Sequence, residues 1–173
     1  MVSKVRTEPM NLEDHPGHPG WKRSEELLDI RDLPASPEEG MRCFYGAAPG
    51  DWDHRLFLVP NNTRIDEVVD FFEVGTHNAV AHGWEERETM DLINKTLTEI
   101  DEIVPGSIEL ATVSALHFRF WRQLRLDELE EIETVYQKVD DYQAGLEDYI
   151  NGLTGGSILA EVRETGVLKL RWA

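Results

Sequence analysis

The apolar residues change period along this chain, and that switching limits the fold more than any other feature. Met41–Ala47 reads Met-Arg-Cys-Phe-Tyr-Gly-Ala and His54–Val59 reads His-Arg-Leu-Phe-Leu-Val. Both are short aromatic and aliphatic runs, and Ala48-Pro49-Gly50-Asp51 between them is turn chemistry, so the pair predicts a hairpin. Pro60-Asn61-Asn62-Thr63 then stops the strand and opens a helix. Thr63 and Asp66 make a capping-box pattern with Asp in place of Glu, Ile65, Val68, Val69 and Phe72 share a stripe, and Gly75 ends it.

From Glu85 to Val104 the apolar positions Met90, Ile93, Leu97, Ile100 and Val104 recur at three and four residues, until Pro105-Gly106 terminates the helix. A start nearer Thr76 depends on Gly83, which weakens a helix interior by about 1 kcal/mol. Between Ile108 and Leu124 the residues Leu116, Phe118, Phe120 and Leu124 alternate with His117, Arg119, Trp121 and Gln123. Period two reads as a central strand, against the alternative that the run from Ser107 extends the next helix backwards. Leu126 to Leu153 is the longest helical pattern, with Leu129, Ile132, Tyr136, Val139, Gln143, Leu146, Ile150 and Leu153 on one heptad seam. Ser157–Arg163 and Val167–Trp172 read as a second hairpin turning at Glu164-Thr165-Gly166.

The resulting order, β-β-α-α-β-α-β-β, predicts an α+β fold. The expected architecture is an antiparallel sheet of two hairpins plus a central strand, with three helices packed on one face. Residues 1–40 carry Pro9, Pro16, Pro19, Pro34 and Pro37, with Pro49 just beyond, and read as an irregular proline-rich leader. Residues 41–173 read as a single domain.

Of the 173 residues, 40% are apolar, enough for a sizeable core and too many for a wholly disordered chain. Cys43 is the one cysteine, so a disulfide scaffold is excluded. No run of about 18 apolar residues marks a membrane span, and the start lacks the apolar stretch of a secretory signal, so a soluble cytoplasmic protein is expected. Thirty-four Asp and Glu oppose 17 Lys and Arg, a net charge of −17. That balance argues against direct nucleic-acid binding, which needs clustered cations to neutralise phosphates. A field of this sign steers in a basic partner.

Four groupings carry possible chemistry. Glu73, His77 and His82 offer metal-ligand atoms, yet His77 and His82 stand five apart, and one helix face wants three or four. His15-Pro16-Gly17-His18-Pro19-Gly20 is a tandem triplet that suits weak metal capture or a polyproline-like patch beside Trp21. His117, Arg119, Arg122 and Arg125, interleaved with Phe118, Phe120 and Trp121, form the one positive concentration. Arg119, Arg122 and Arg125 suit an anion, or they pair with the carboxylates that follow at once. Last, Asp127, Glu128, Glu131, Asp140, Asp141, Glu147 and Asp148 lie off the apolar seam of the long helix. Such rows make a docking surface for a basic partner, or imitate a phosphate backbone, or form a solvated face.

No Gly-x-Ser-x-Gly elbow, Walker motif or dinucleotide fingerprint is present. The expectation is a non-catalytic acidic binding module (inhibitor, immunity-type protein, chaperone or accessory subunit) with no cofactor. Self-association through the 126–153 helix is a further expectation. The alternative is a small enzyme on an anionic substrate, with His77, His82 and His117 as acid, base or metal candidates and Arg119 or Arg122 holding the anion.

Overall fold

The computed structural model describes residues 12–25, 38–140 and 158–171. It is a mixed α+β fold built on one seven-stranded sheet. The strands are β1 (Leu12–Asp14), β2 (Lys22–Ser24), β3 (Met41–Gly46), β4 (Arg55–Pro60), β5 (Gly106–Thr112), β6 (Ala115–Phe120) and β7 (Val167–Arg171). Five described helices accompany them: α1 (Ile65–Phe71), α2 (Thr76–His82), α3 (Glu86–Ile103), α4 (Leu126–Asp140) and α5 (Ile158–Thr165). The strand order is β1-β2-β4-β3-β5-β6-β7. Every neighbouring pair is antiparallel except β3 and β5, which run parallel. A parallel pair needs a long crossover, and β4 with α1 to α3 supplies it.

The first hairpin has the expected strands, with Cys43 opposite Leu58 and Phe44 opposite Phe57. The stretch read as one central strand is itself a hairpin, β5 and β6, turning at Val113 and Ser114. The turn has no Gly, Pro, Asn or Asp; instead the Ser114 N–H donates to Thr112 Oγ1 at 3.2 Å.

The second expected hairpin is corrected: within Ser157–Arg163, residues 158–163 are helical, and β7 pairs with β6. Ile158-Ala160-Val162 alternates with period two, but Ile158 and Val162 are also one helical turn apart. Gly166 follows the helix at φ 70° and donates its N–H to the Val162 carbonyl at 2.8 Å, so it closes a helix rather than bulging a hairpin.

Within the stretch read as an irregular leader, β1 and β2 join the sheet edge, and the His-Pro-Gly triplets form the loop between them. Pro16 and Pro19 fall in that loop and leave the strand hydrogen bonds intact, while Pro9, Pro34 and Pro37 lie outside the described residues. His18 stacks on Trp21 with ring centroids 4.0 Å apart, and His15 meets Phe71 edge-on at 5.0 Å. Trp21 is fully buried, so this loop clasps α1 onto the sheet.

α1 starts one residue later than Thr63 predicts: Arg64 is the N-cap, and its N–H donates to the Glu67 carboxylate at 2.9 Å. Gly83, at φ 71°, separates α2 from α3. Buried apolar residues of α1, α3, α4 and α5 join Phe44, Phe57, Phe72 and Phe118 in one cluster on one face of the sheet. Each large apolar side chain fully buried there contributes about 1.5–3 kcal/mol. A second, smaller cluster of Tyr45, Leu56, Leu58 and Leu110 forms from strand residues alone. Among the described residues, no helix is long and apolar enough to cross a membrane.

Candidate functional site

α3 and α4 lie side by side and divide their residues in the same way. Thr89, Ile93, Thr96, Leu97 and Ile100 of α3 face inward, as do Leu129, Ile132, Val135 and Tyr136 of α4. The seam residues Leu129, Ile132 and Tyr136 are therefore buried within the chain, and the seam positions from Gln143 on lie outside the described residues. The 3.6-residue period leaves acidic residues such as Glu88, Asp91 and Glu102 of α3 and Asp127, Glu130 and Glu131 of α4 on the outside. Between the two helices runs a groove of about 460 Å³, lined by Glu99, Glu102 and Ile103 of α3 and by Asp127, Glu128, Glu131 and Val135 of α4, with Arg125 at its rim. Carboxylates from two separate helices thus converge on one concave surface.

The arginines expected to bind an anion are paired with carboxylates. Arg122 holds Glu128 with two hydrogen bonds, at 2.9 and 2.6 Å. Glu128 also accepts the Arg125 backbone N–H at 2.9 Å and lies 3.3 Å from the Arg125 guanidinium. Arg125 bonds Asp127 at 3.1 and 3.2 Å, and Arg119 bonds Glu109 at 2.9 Å. The bond from Arg122, followed by the Arg125 backbone N–H, holds the Glu128 carboxyl down at about 2. Its side chain is 7% exposed, so of the expected docking residues Glu128 is a structural anchor for the start of α4.

Glu102 and Glu131 are exposed and have no ion pair among the described residues; the same holds for Glu130 just outside the groove. Asp127 is exposed but tied to Arg125. Asp140 is the last residue of α4, while Asp141, Glu147 and Asp148 lie outside the described residues.

The histidine candidates are not brought together. Glu73 stands at φ 48° in the turn before α2, off the helix that carries His77 and ends at His82. Among the described residues, no group of three or more His, Cys, Asp or Glu is placed to hold a metal ion. His77 lines a pocket of about 380 Å³ with His54, Trp52 and Ser114, and His117 is not part of that wall. His117 lies on β6 opposite Leu110 on one side and Lys169 on the other. Burial, then the Arg171 and Lys169 charges, pull its pKa down to about 4, against Glu109 and Glu161. Its Nε2 is buried without a hydrogen-bond partner.

Sequence reasoning missed two residues. His54 reads as the first position of a strand, with nothing to link it to His77. Arg42 sits two before Phe44 in β3, so it shares the helix-covered face with a core aromatic. A charged residue at an inward position is the signal that could have found it.

No protein-family model matches this chain, no curated protein matches it, and no solved structure matches it.

Proposed function

We propose that this chain is a non-catalytic acidic binding module that docks the α3–α4 face onto a basic surface of a partner protein. One observation carries the reading: local ion pairs occupy Arg119, Arg122 and Arg125, while Glu102, Glu130 and Glu131 keep no cationic partner among the described residues. Their charge is therefore offered outward. Carboxylates along two neighbouring helices can also occupy a groove that otherwise takes a phosphate backbone, which makes an inhibitor or accessory subunit of a basic protein the natural role. A field of this sign accelerates encounter with a cationic surface and is screened by salt.

The test compares the chain with a variant carrying Glu102→Gln, Glu130→Gln and Glu131→Gln together. All three side chains are exposed, so the fold is retained. The wild type captures a basic protein from native lysate at about 50 mM salt, and its association rate falls roughly tenfold by about 300 mM. The triple variant binds that protein at least about tenfold more weakly. Equal retention by both chains, or an association rate indifferent to salt, overturns the proposal.

A further inference from the structure

A different surface carries a second role, independent of the acidic groove. At the end of the sheet where β3 and β5 begin, a pocket of about 790 Å³ opens between the 61–66 segment, the C-terminal half of α3 and the residues around Gly106 and Trp121. That volume is in the range of small-molecule sites, about 300–1,000 Å³. Arg42 lines it. Its guanidinium makes one hydrogen bond, to the Thr63 carbonyl at 2.5 Å, and has no ion pair among the described residues. An arginine carries five N–H donors, so several remain unused. Those nitrogens are not among the fully buried atoms that lack a partner, so they keep contact with solvent, and the residue lines the pocket. Burial pulls the guanidinium pKa below its ordinary value, with Asp101 and Glu67 opposing.

Two further wall residues are also unengaged. Lys95 of α3 is exposed and has no ion pair among the described residues. Trp121 is 69% exposed, an unusual state for an indole, and offers a flat apolar face at the mouth. The other charges on the wall are partly committed. Arg64 is bonded to Asp66 at 2.8 Å, and Asp101 accepts the Gly106 N–H at 3.0 Å. Glu99 and Asp101 stand on the same wall, so the cations of the pocket, Arg42 and Lys95, are where an anion is favoured. That arrangement orients a ligand with one anionic end.

We propose that this pocket binds a small phosphorylated ring compound of the mononucleotide class, its phosphate on Arg42 and Lys95 and its ring on Trp121. The guanidinium fork matches a phosphate geometrically. Stacking on an aromatic face adds about 1–3 kcal/mol per base and tolerates any base identity. The Thr98 hydroxyl on the wall donates to the Asn94 carbonyl at 2.8 Å and keeps its lone pairs to accept from a sugar hydroxyl.

The full chain, labelled with nitrogen-15, is titrated with adenosine 5′-monophosphate while the tryptophan indole signals are followed. Trp121 shifts saturably, and Trp52, which is 92% exposed and lines a different pocket, stays still. Adenosine alone and inorganic phosphate alone each bind at least about tenfold more weakly, because each supplies only half of the contact. Lys95→Ala and Trp121→Ala, both at exposed positions, weaken binding roughly tenfold, and Arg42→Met removes it. The proposal is overturned if Trp121 does not shift at millimolar nucleotide, if Trp52 moves with it, or if the Lys95 and Arg42 variants bind like the wild type. The acidic docking reading stands or falls separately: Glu99 lines both cavities, but Arg42, Lys95 and Trp121 line this pocket and not the groove.

Discussion

At the start of α4 a buried carboxylate, Glu128, holds two arginines; at the end of the sheet a half-buried arginine, Arg42, holds no carboxylate among the described residues. The chain has twice as many acidic as basic residues, so a shortage of acid is not the reason. The difference is chain distance. Arg122, Arg125 and Glu128 fall within one short loop and the first turn of a helix, so little entropy is lost in bringing them together. Arg42 is fixed by its strand, and the acids that act on it, Asp101 and Glu67, come from other helices and act through the field without an ion-pair contact. The local network sets where a helix begins. The non-local arginine is left with donors for a group from outside the chain.

If the pocket beside Arg42 is a built site, its floor is rigid, and this gives the largest expected effect. A Cβ on Gly106 would lie 2.4 Å from the Phe118 ring and 2.5 Å from the Arg119 carbonyl. The second of these is backbone and cannot swing away. Gly106→Ala should therefore destabilise the protein by about 2–3 kcal/mol in urea unfolding. An alanine variant of wild-type stability would mean that the pocket wall yields, and that its shape is accidental.

The Glu128 side of the comparison is sharpened by pH. The ordinary carboxyl value is 4.5, and the folded value is about 2. A depressed carboxyl contributes stability that is fully present above its unfolded value and is lost as pH falls through its folded value. Glu128→Gln should therefore be less stable than wild type at neutral pH. The gap should narrow below about 4.5 and close near 2. Urea midpoints measured across that range check it. A gap that persists at pH 2 would mean that the carboxylate matters through packing and not through its two arginines.

The same contrast, local against distant, explains what the sequence discloses. The β3–β4 hairpin is legible because Pro49 and Gly50 break the chain between two apolar runs, and α3 because its period holds from Met90 to Val104. The pairing of Arg122 and Arg125 with the carboxylates that follow is legible for the same reason. β1 and β2 are three residues each, too short to show a period, and their prolines mark a loop and not the absence of strands. α5 spans eight residues, over which two-residue and four-residue spacings coincide. The pocket draws on β3, α3 and the segment after β6, which only the fold brings together, so nothing in the sequence around Arg42 announces it.

The smallest expected effect tests the comparison most directly. Replacing an unpaired, half-buried charge by an apolar chain of similar length loses one hydrogen bond to the Thr63 carbonyl and removes a desolvation penalty. These terms oppose each other, so Arg42→Met should leave stability within about 1 kcal/mol of wild type at neutral pH. If Arg42 were instead the keystone of a hidden network, its removal would cost several kcal/mol, as breaking a buried pair does. Urea unfolding of the methionine variant decides between the two. A near-neutral outcome leaves the guanidinium without a structural reason to be half-buried, and its unused donors then have only an external acceptor to serve.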